Sequence, residues 1–200
     1  MWYLQWLRDK INSCAESKYK ASIVVKVQQR PIRFAKSQTS FTTPSITHVC
    51  DVESNERQHK SKFCDVLDQI SEANNLGRNI KYGLVYSNFT FELWMALHKV
   101  DCNGPLSHRS QYLTFINRAF AENFETLDQY KRENNFKRCL SKLELSDVKS
   151  AIERSKHIMD NNKSDSGKHP TYYKKFEYYE ENPALTIWES IKKILDECGD

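Results

Sequence analysis

Four side chains in the first hundred residues have the types and spacing to do chemistry. Asp51 and Glu53 stand two apart at the end of ITHVCDVES, and Glu92 and His98 lie inside the apolar run SNFTFELWMALHK. On extended backbone, residues two apart project from one face, so Asp51 and Glu53 could share a cation. Hard divalent ions such as Mg2+ take oxygen ligands, and open α/β sheets gather ligands at the carboxyl ends of their strands. The same acids also suit the turn before a helix, where the helix dipole favours negative charge. Glu92 and His98 are six residues apart, which at 100° per residue leaves them about 120° apart around a helix. They therefore answer to different partners. Glu92 fits a carboxylate in a first helical turn, held by free backbone N–H groups after a Ser87-Asn88 cap. The sharper alternative is a buried carboxylate paired with a base or a metal, because an ionised group among apolar side chains is costly unless compensated. His98 reads either as a core histidine with a satisfied hydrogen bond or as a catalytic imidazole.

The elements that must position these groups follow from periodicity. Residues 2–16 place Trp2, Tyr3, Trp6, Leu7, Ile11 and Cys14 near one stripe, which predicts a helix. SIVVKV (22–27) has the β-branched composition of a strand, and the segment after it, with two prolines and no period, reads as a long loop. ITHVCDVES (46–54) predicts a second strand. From Asn55 to Leu76 the residues Phe63, Val66, Leu67, Ile70 and Ala73 recur at helical spacing, with Ser54 or Asn55 as cap and Gly77 beyond the end. IKYGLVYS (80–87) predicts a third strand, leading into the helix of Glu92. Strand, helix, strand, helix is the order of an α/β domain with a mostly parallel sheet. Helices are predicted over 108–122, 126–142, 146–160 and 184–198, the last opened by Asn182-Pro183 and closed by Gly199; 161–170 reads as a polar linker. The expected organisation is an α/β core over 1–100 with a helical extension packed on it over 101–200.

Composition narrows the class. The 200 residues are 39% hydrophobic and 28% charged, with 10 Phe, 10 Tyr and 4 Trp, enough for a folded core. The six cysteines form no CxxC pair and no zinc spacing, and read as reduced thiols of a cytoplasmic protein. No stretch resembles a signal peptide or a membrane span. No glycine-rich phosphate loop and no GxSxG motif is present, which argues against nucleotide hydrolysis and serine-hydrolase chemistry. Net charge is +4, but no acid occurs between Glu16 and Asp51, while Lys18, Lys20, Lys26, Arg30, Arg33 and Lys36 do. That segment is either a solvated face or a phosphate-contacting one.

The order of a strand ending in Asp51-Val52-Glu53-Ser54, a long helix, a strand ending in Ser87-Asn88, then Phe91-Glu92-Leu93-Trp94 and Leu97-His98 resembles the RloB family. Its members carry a strand-terminal acid pair and an SNPxFExWxxLH segment. Asn182-Pro183-Ala184-Leu185-Thr186-Ile187 is similar to the closing NPSTxVhxLV helix of that family, so the resemblance covers essentially the whole chain. It implies a bacterial, TOPRIM-like nuclease fold, encoded with an AAA-type ATPase partner in antiphage, abortive-infection or restriction-linked loci. On that analogy Asp51 and Glu53 hold Mg2+ (or Mn2+), Glu92 and His98 act at the site, and Ser87 and Asn88 support it. Lys26, Arg30, Arg33 and Lys36 would then meet the nucleic acid, DNA or RNA. Self-association into a homo-oligomer stays open. The chain has Asn88-Phe89 where the family has Asn-Pro, and Glu53 where an aspartate is common. It opens at Met1-Trp2-Tyr3-Leu4, inside the region that in the family follows an EGxxTE turn carrying a further glutamate. The expectation is either a start lying upstream or an inactive remnant serving as a non-catalytic nucleic-acid- or ATPase-binding module.

Overall fold

The computed structural model describes residues 1–27, 30–38, 45–54, 56–77 and 79–199. In chain order the elements are α1 (Trp2–Ser13), α2 (Pro31–Ser37), β1 (Ser45–Asp51), α3 (Arg57–Asn74), β2 (Lys81–Asn88), α4 (Glu92–Leu97), a 3-10 turn (Arg109–Gln111), α5 (Tyr112–Phe120), α6 (Leu127–Tyr130), α7 (Glu133–Leu140), α8 (Leu145–Ser164), β3 (Thr171–Tyr173), β4 (Phe176–Tyr178), β5 (Ala184–Leu185) and α9 (Ile187–Cys198). The architecture is α/β with small mixed sheets.

β1 and β2 pair in parallel from Ser45 opposite Lys81 to Asp51 opposite Ser87, with α3 as the crossover between them. Phe63, Leu67, Ile70 and Ala73, spaced three and four apart, form the buried stripe of α3. The sequence suggests a mostly parallel sheet, but the sheet that forms is mixed. β5 joins the other side of β2 antiparallel, with Ser87 opposite Leu185 and Asn88 opposite Ala184, and β3 and β4 form a separate antiparallel hairpin. Asn182 and Pro183 therefore lead into a two-residue strand instead of opening the last helix, which starts after Thr186.

The principal core gathers Tyr3, Leu7 and Ile11 of α1 with α4, α5, α7, α8 and α9, so the helical second half packs directly on the element that carries Glu92. Leu93, Trp94, Met95, Ala96 and Leu97 are fully buried, which explains why α4 is apolar all round. The predicted strand at 22–27 does not form. Among the described residues no strand pairs with it, Val24 and Val27 are 79% and 80% exposed, and an extended run without a partner cannot satisfy its own backbone. The loop read after it contains α2, set by Pro31 in its first turn. Of the two caps proposed for α3, Ser54 precedes the observed start and Asn55 lies outside the described residues; Glu56 holds the N-cap position. No described helix is long and apolar enough to cross a membrane.

Candidate functional site

The acids collect where the parallel strands end. The ladder runs on past β1: Val52 N–H donates to Ser87 O at 3.0 Å and Glu53 N–H to Phe89 O at 2.8 Å. The chain then reverses in a γ-turn, with Ser54 N–H donating to Val52 O at 2.9 Å around Glu53 at φ +65°. A non-glycine residue in that region stores strain. The turn also breaks the strand alternation that was to aim Asp51 and Glu53 from one face. Glu53 turns to the start of α3 instead, its Oε2 3.0 Å from His59 Nε2 and 3.9 Å from Arg109 Nη1. The other nitrogen of His59 lies 2.6 Å from Ser54 Oγ.

Asp51 has Glu92 as its strongest charged neighbour, followed by Lys131 and Glu53. As a residue it stays exposed at the end of an outer strand, but its carboxyl group is crowded. Desolvation first, then the repulsion of Glu92, pushes its pKa up to about 7, against the pull of Lys131 and a hydrogen bond from the Phe91 backbone. Of the neighbouring acids, Glu92 therefore acts on Asp51 more strongly than Glu53 does.

Glu92 opens α4 and is 3% exposed. One oxygen, Oε1, meets Lys131 Nζ at 3.2 Å; the other, Oε2, is buried without a partner. The same stretch carries three more buried, unpartnered oxygens, Ser87 Oγ, Asn88 Oδ1 and Thr90 Oγ1. Tyr130 OH is likewise unpartnered, and its ionisation is held well up by burial and then by the charge of Glu92. Lys131 is brought to Glu92 by its neighbours. Thr126 caps α6 by accepting from Gln129 N–H at 3.1 Å, Lys131 N–H closes the turn on Leu127 O at 2.8 Å, and Tyr130 anchors it between Phe124 and Phe136.

His98 belongs to another neighbourhood. Its ring is 1% exposed, Nδ1 lies 2.9 Å from Trp94 O and Nε2 3.0 Å from Tyr3 OH, an arrangement in which Nδ1–H donates and Nε2 accepts. Burial lowers its pKa to about 4, so it is neutral at ordinary pH, and the charged groups acting on it are Asp147 and Lys99 rather than the acid cluster. Ser87 and Asn88 are the last residues of β2, paired with β5, and do not cap α4, whose N-cap position is Phe91. Asn88 Nδ2 donates to Tyr179 O and Glu180 O at 3.2 and 2.8 Å, and its backbone oxygen accepts from Tyr112 OH at 3.3 Å. It ties the strand end to the C-terminal segment.

The basic segment lies elsewhere. α2 packs on the second half of α3 through Ala35, beside Ile46 and Tyr82 near the amino ends of β1 and β2. Ile46 and Asp51 are five residues apart, about 17 Å along a strand, so Arg30, Arg33 and Lys36 are at the opposite end of the sheet from the acids. Lys26 stacks over Phe34 and Lys36 pairs with Glu72. Among the described residues, the groups that adjoin the acids are the His59 imidazole, Arg109 and Lys131, drawn from three separate parts of the chain. Only the position of His59 near the start of the predicted long helix, next to the acid pair, was open to reading from sequence.

Whether this cluster fits a divalent cation is decided by its donors. Among the described residues no three His, Cys, Asp or Glu side chains are grouped as metal ligands. What is present is a pair of hard carboxylates, one with an unpartnered buried oxygen, and adjacent hydroxyls. Mg2+ commonly binds through one or two protein carboxylates and keeps water and substrate phosphate as its other ligands. The donor set fits that mode of binding and not an all-protein cage.

Comparison with known proteins gives one positive result: the family model described as RloB-like protein matches residues 1–194. No curated protein and no solved structure matches the chain. By a match over nearly its whole length, the chain belongs to the RloB-like family.

Proposed function

We propose that the chain is a TOPRIM-like, divalent-metal-dependent phosphodiester hydrolase acting on nucleic acid. The observation that carries this reading is the buried Oε2 of Glu92, facing no donor, in a residue whose charge also raises Asp51. An ionised oxygen in that position is costly unless a cation joins it. Asp51 and Glu92 would hold Mg2+ or Mn2+. When bound, such an ion polarises a phosphoryl oxygen and lowers the pKa of the attacking water. The side chains contribute orientation and charge. Glu53 holds His59 beside the cluster, Lys131 neutralises negative charge, and Asn88 fixes the strand end on which Ser87 and Thr90 present their hydroxyls. Family membership extends the proposal to a bacterial antiphage setting, a cytoplasmic location and an AAA-type ATPase partner.

One observation favours a second reading. Lys131 Nζ already sits 3.2 Å from Glu92, as a permanent counter-ion would in a non-catalytic binding module. The two are separated by measuring Mn2+ binding by electron paramagnetic resonance, together with cleavage of labelled DNA and RNA in Mg2+ or Mn2+. The hydrolase reading expects saturable Mn2+ binding and cleavage, both lost in Asp51→Asn and Glu92→Gln. Cleavage that survives Asp51→Asn ends it, and a folded protein that binds no Mn2+ favours the module.

A further inference from the structure

We infer that Arg109 contacts the substrate phosphate, displayed beside the acid cluster by an arm that Asn182 and Asn88 hold in place. This deepens the preceding proposal and rests on its reading of the substrate as a nucleic acid. Three carboxylates at one strand end repel a phosphodiester, so the site needs cations that are near yet not used up by the acids. Lys131 is engaged by Glu92 at 3.2 Å, and the His59 imidazole lies against Glu53 at 3.0 Å. Arg109 is 46% exposed and reaches Glu53 only at 3.9 Å through Nη1, beyond hydrogen-bond distance, which leaves its guanidinium donors for a ligand. A guanidinium fork matches the oxygens of a phosphate.

The arm that carries it is closely bonded for an exposed segment. Asn182 grips Leu106 in both directions, Oδ1 accepting from Leu106 N–H at 2.6 Å and Nδ2 donating to Leu106 O at 2.8 Å. Gln111 Oε1 accepts from the N–H groups of Ser107 and His108 at 2.8 and 3.1 Å, and His108 Nδ1 accepts from Ser110 N–H at 3.2 Å. Tyr112 OH then donates to the backbone oxygen of Asn88, the residue that ends β2. Ordering exposed backbone costs conformational entropy, and what this network fixes is the position of residue 109 relative to the strand end. Asn182, which the sequence presents as part of a helix start, thus serves the loop opposite it.

The test is binding of a short labelled DNA, single-stranded and duplex, over a salt series in Ca2+, with cleavage in Mg2+ or Mn2+ measured in parallel. Arg109→Ala is expected to weaken binding roughly tenfold and to reduce the slope of log Kd against log salt by about 0.7–0.9, the signature of one lost phosphate contact. Arg109→Lys keeps the slope and recovers part of the affinity. Asn182→Ala, with its fold checked by circular dichroism, weakens binding in the same direction, and the paired Arg33→Ala, Lys36→Ala variant changes neither quantity. The inference is overturned if Arg109→Ala binds as wild type, if a folded Asn182→Ala does so, if the Arg33 and Lys36 variant loses as much, or if the wild-type chain binds neither DNA. Arg109-dependent binding without any cleavage upholds it while the hydrolase proposal falls; cleavage indifferent to Arg109 does the reverse.

Discussion

Replacing Lys131 with methionine removes the one side chain that, among the described residues, forms an ion pair with Glu92, while keeping an unbranched apolar side chain of similar length. At 3.2 Å and an effective dielectric constant of about 20, the Coulomb attraction is about 5 kcal/mol before desolvation is charged against it. Breaking one side of a fully buried pair costs about 3–5 kcal/mol. The Lys131 side chain is 44% exposed and the Glu92 side chain 4%, so solvent screens part of the loss, and about 1–3 kcal/mol is expected. For a chain of this length that is a fall in Tm of roughly 3–10 °C. The assay is thermal unfolding followed by circular dichroism in EDTA and again with excess MnCl2. A ligand at a hundred times its Kd stabilises by about 2.7 kcal/mol, and without Lys131 competing for Glu92 the variant should gain more from Mn2+ than wild type does. Lys131→Arg should behave as wild type. The reasoning is refuted if Lys131→Met unfolds within about a degree of wild type in EDTA, or if Mn2+ shifts both proteins equally.

Three other outcomes follow from the same geometry. The Asp51 carboxyl is raised from 3.8 to about 7, so the folded state holds its proton longer than the unfolded chain, and metal-free stability falls as pH rises through that window. Discounted for the exposure of the residue, Asp51→Asn should remove about 1 kcal/mol of this loss between pH 5 and 8, measured by urea unfolding. His98 has the opposite sign: lowered from 6.5 to about 4, it contributes stability that is full above 6.5 and is lost as pH falls toward 4, about 3 kcal/mol for so buried a group. His98→Leu should flatten that acid limb, best seen in an Asp51→Asn background, at a cost of about 2–3 kcal/mol near neutrality because Tyr3 OH and Trp94 O lose their partner. Asn88→Ala leaves the Tyr179 and Glu180 carbonyls unpaired and should lower urea stability by about 2–3 kcal/mol, with metal binding weakened because the strand end carrying Ser87 is released.

Local pattern carried much of this structure and distance carried the rest. The stripe of Phe63, Leu67 and Ile70 marked α3, the β-branched runs around Val49 and Val85 marked β1 and β2, and the strand-end position of Asp51 followed from them. Val24 and Val27 gave the same local signal with no strand to receive it, since pairing depends on a neighbour that composition does not disclose. The direction of Glu53 is not legible because two residues of alternation hold only while the backbone stays extended, and its φ of +65° ends that extension. The pairing of Glu92 with Lys131, 39 residues onward, and of His98 with Tyr3, 95 residues back, leaves no periodic trace. Asn182-Pro183 resembled a cap because the pairing that makes it a strand entry is with Asn88, almost a hundred residues away. RloB-like membership, by contrast, was legible, because the Ser87–His98 segment fixes several positions together.

The end of β2 is held from the far side by β5 and by the carbonyls of Tyr179 and Glu180. On the ribosome, the chain has made both parallel strands and all three acids long before those residues leave the exit tunnel. Such long-range closure comes late in folding. A nascent chain that has not yet exposed residues 179–185 therefore has its carboxylates without the brace that sets their positions, and whatever activity they support is withheld until that segment has emerged.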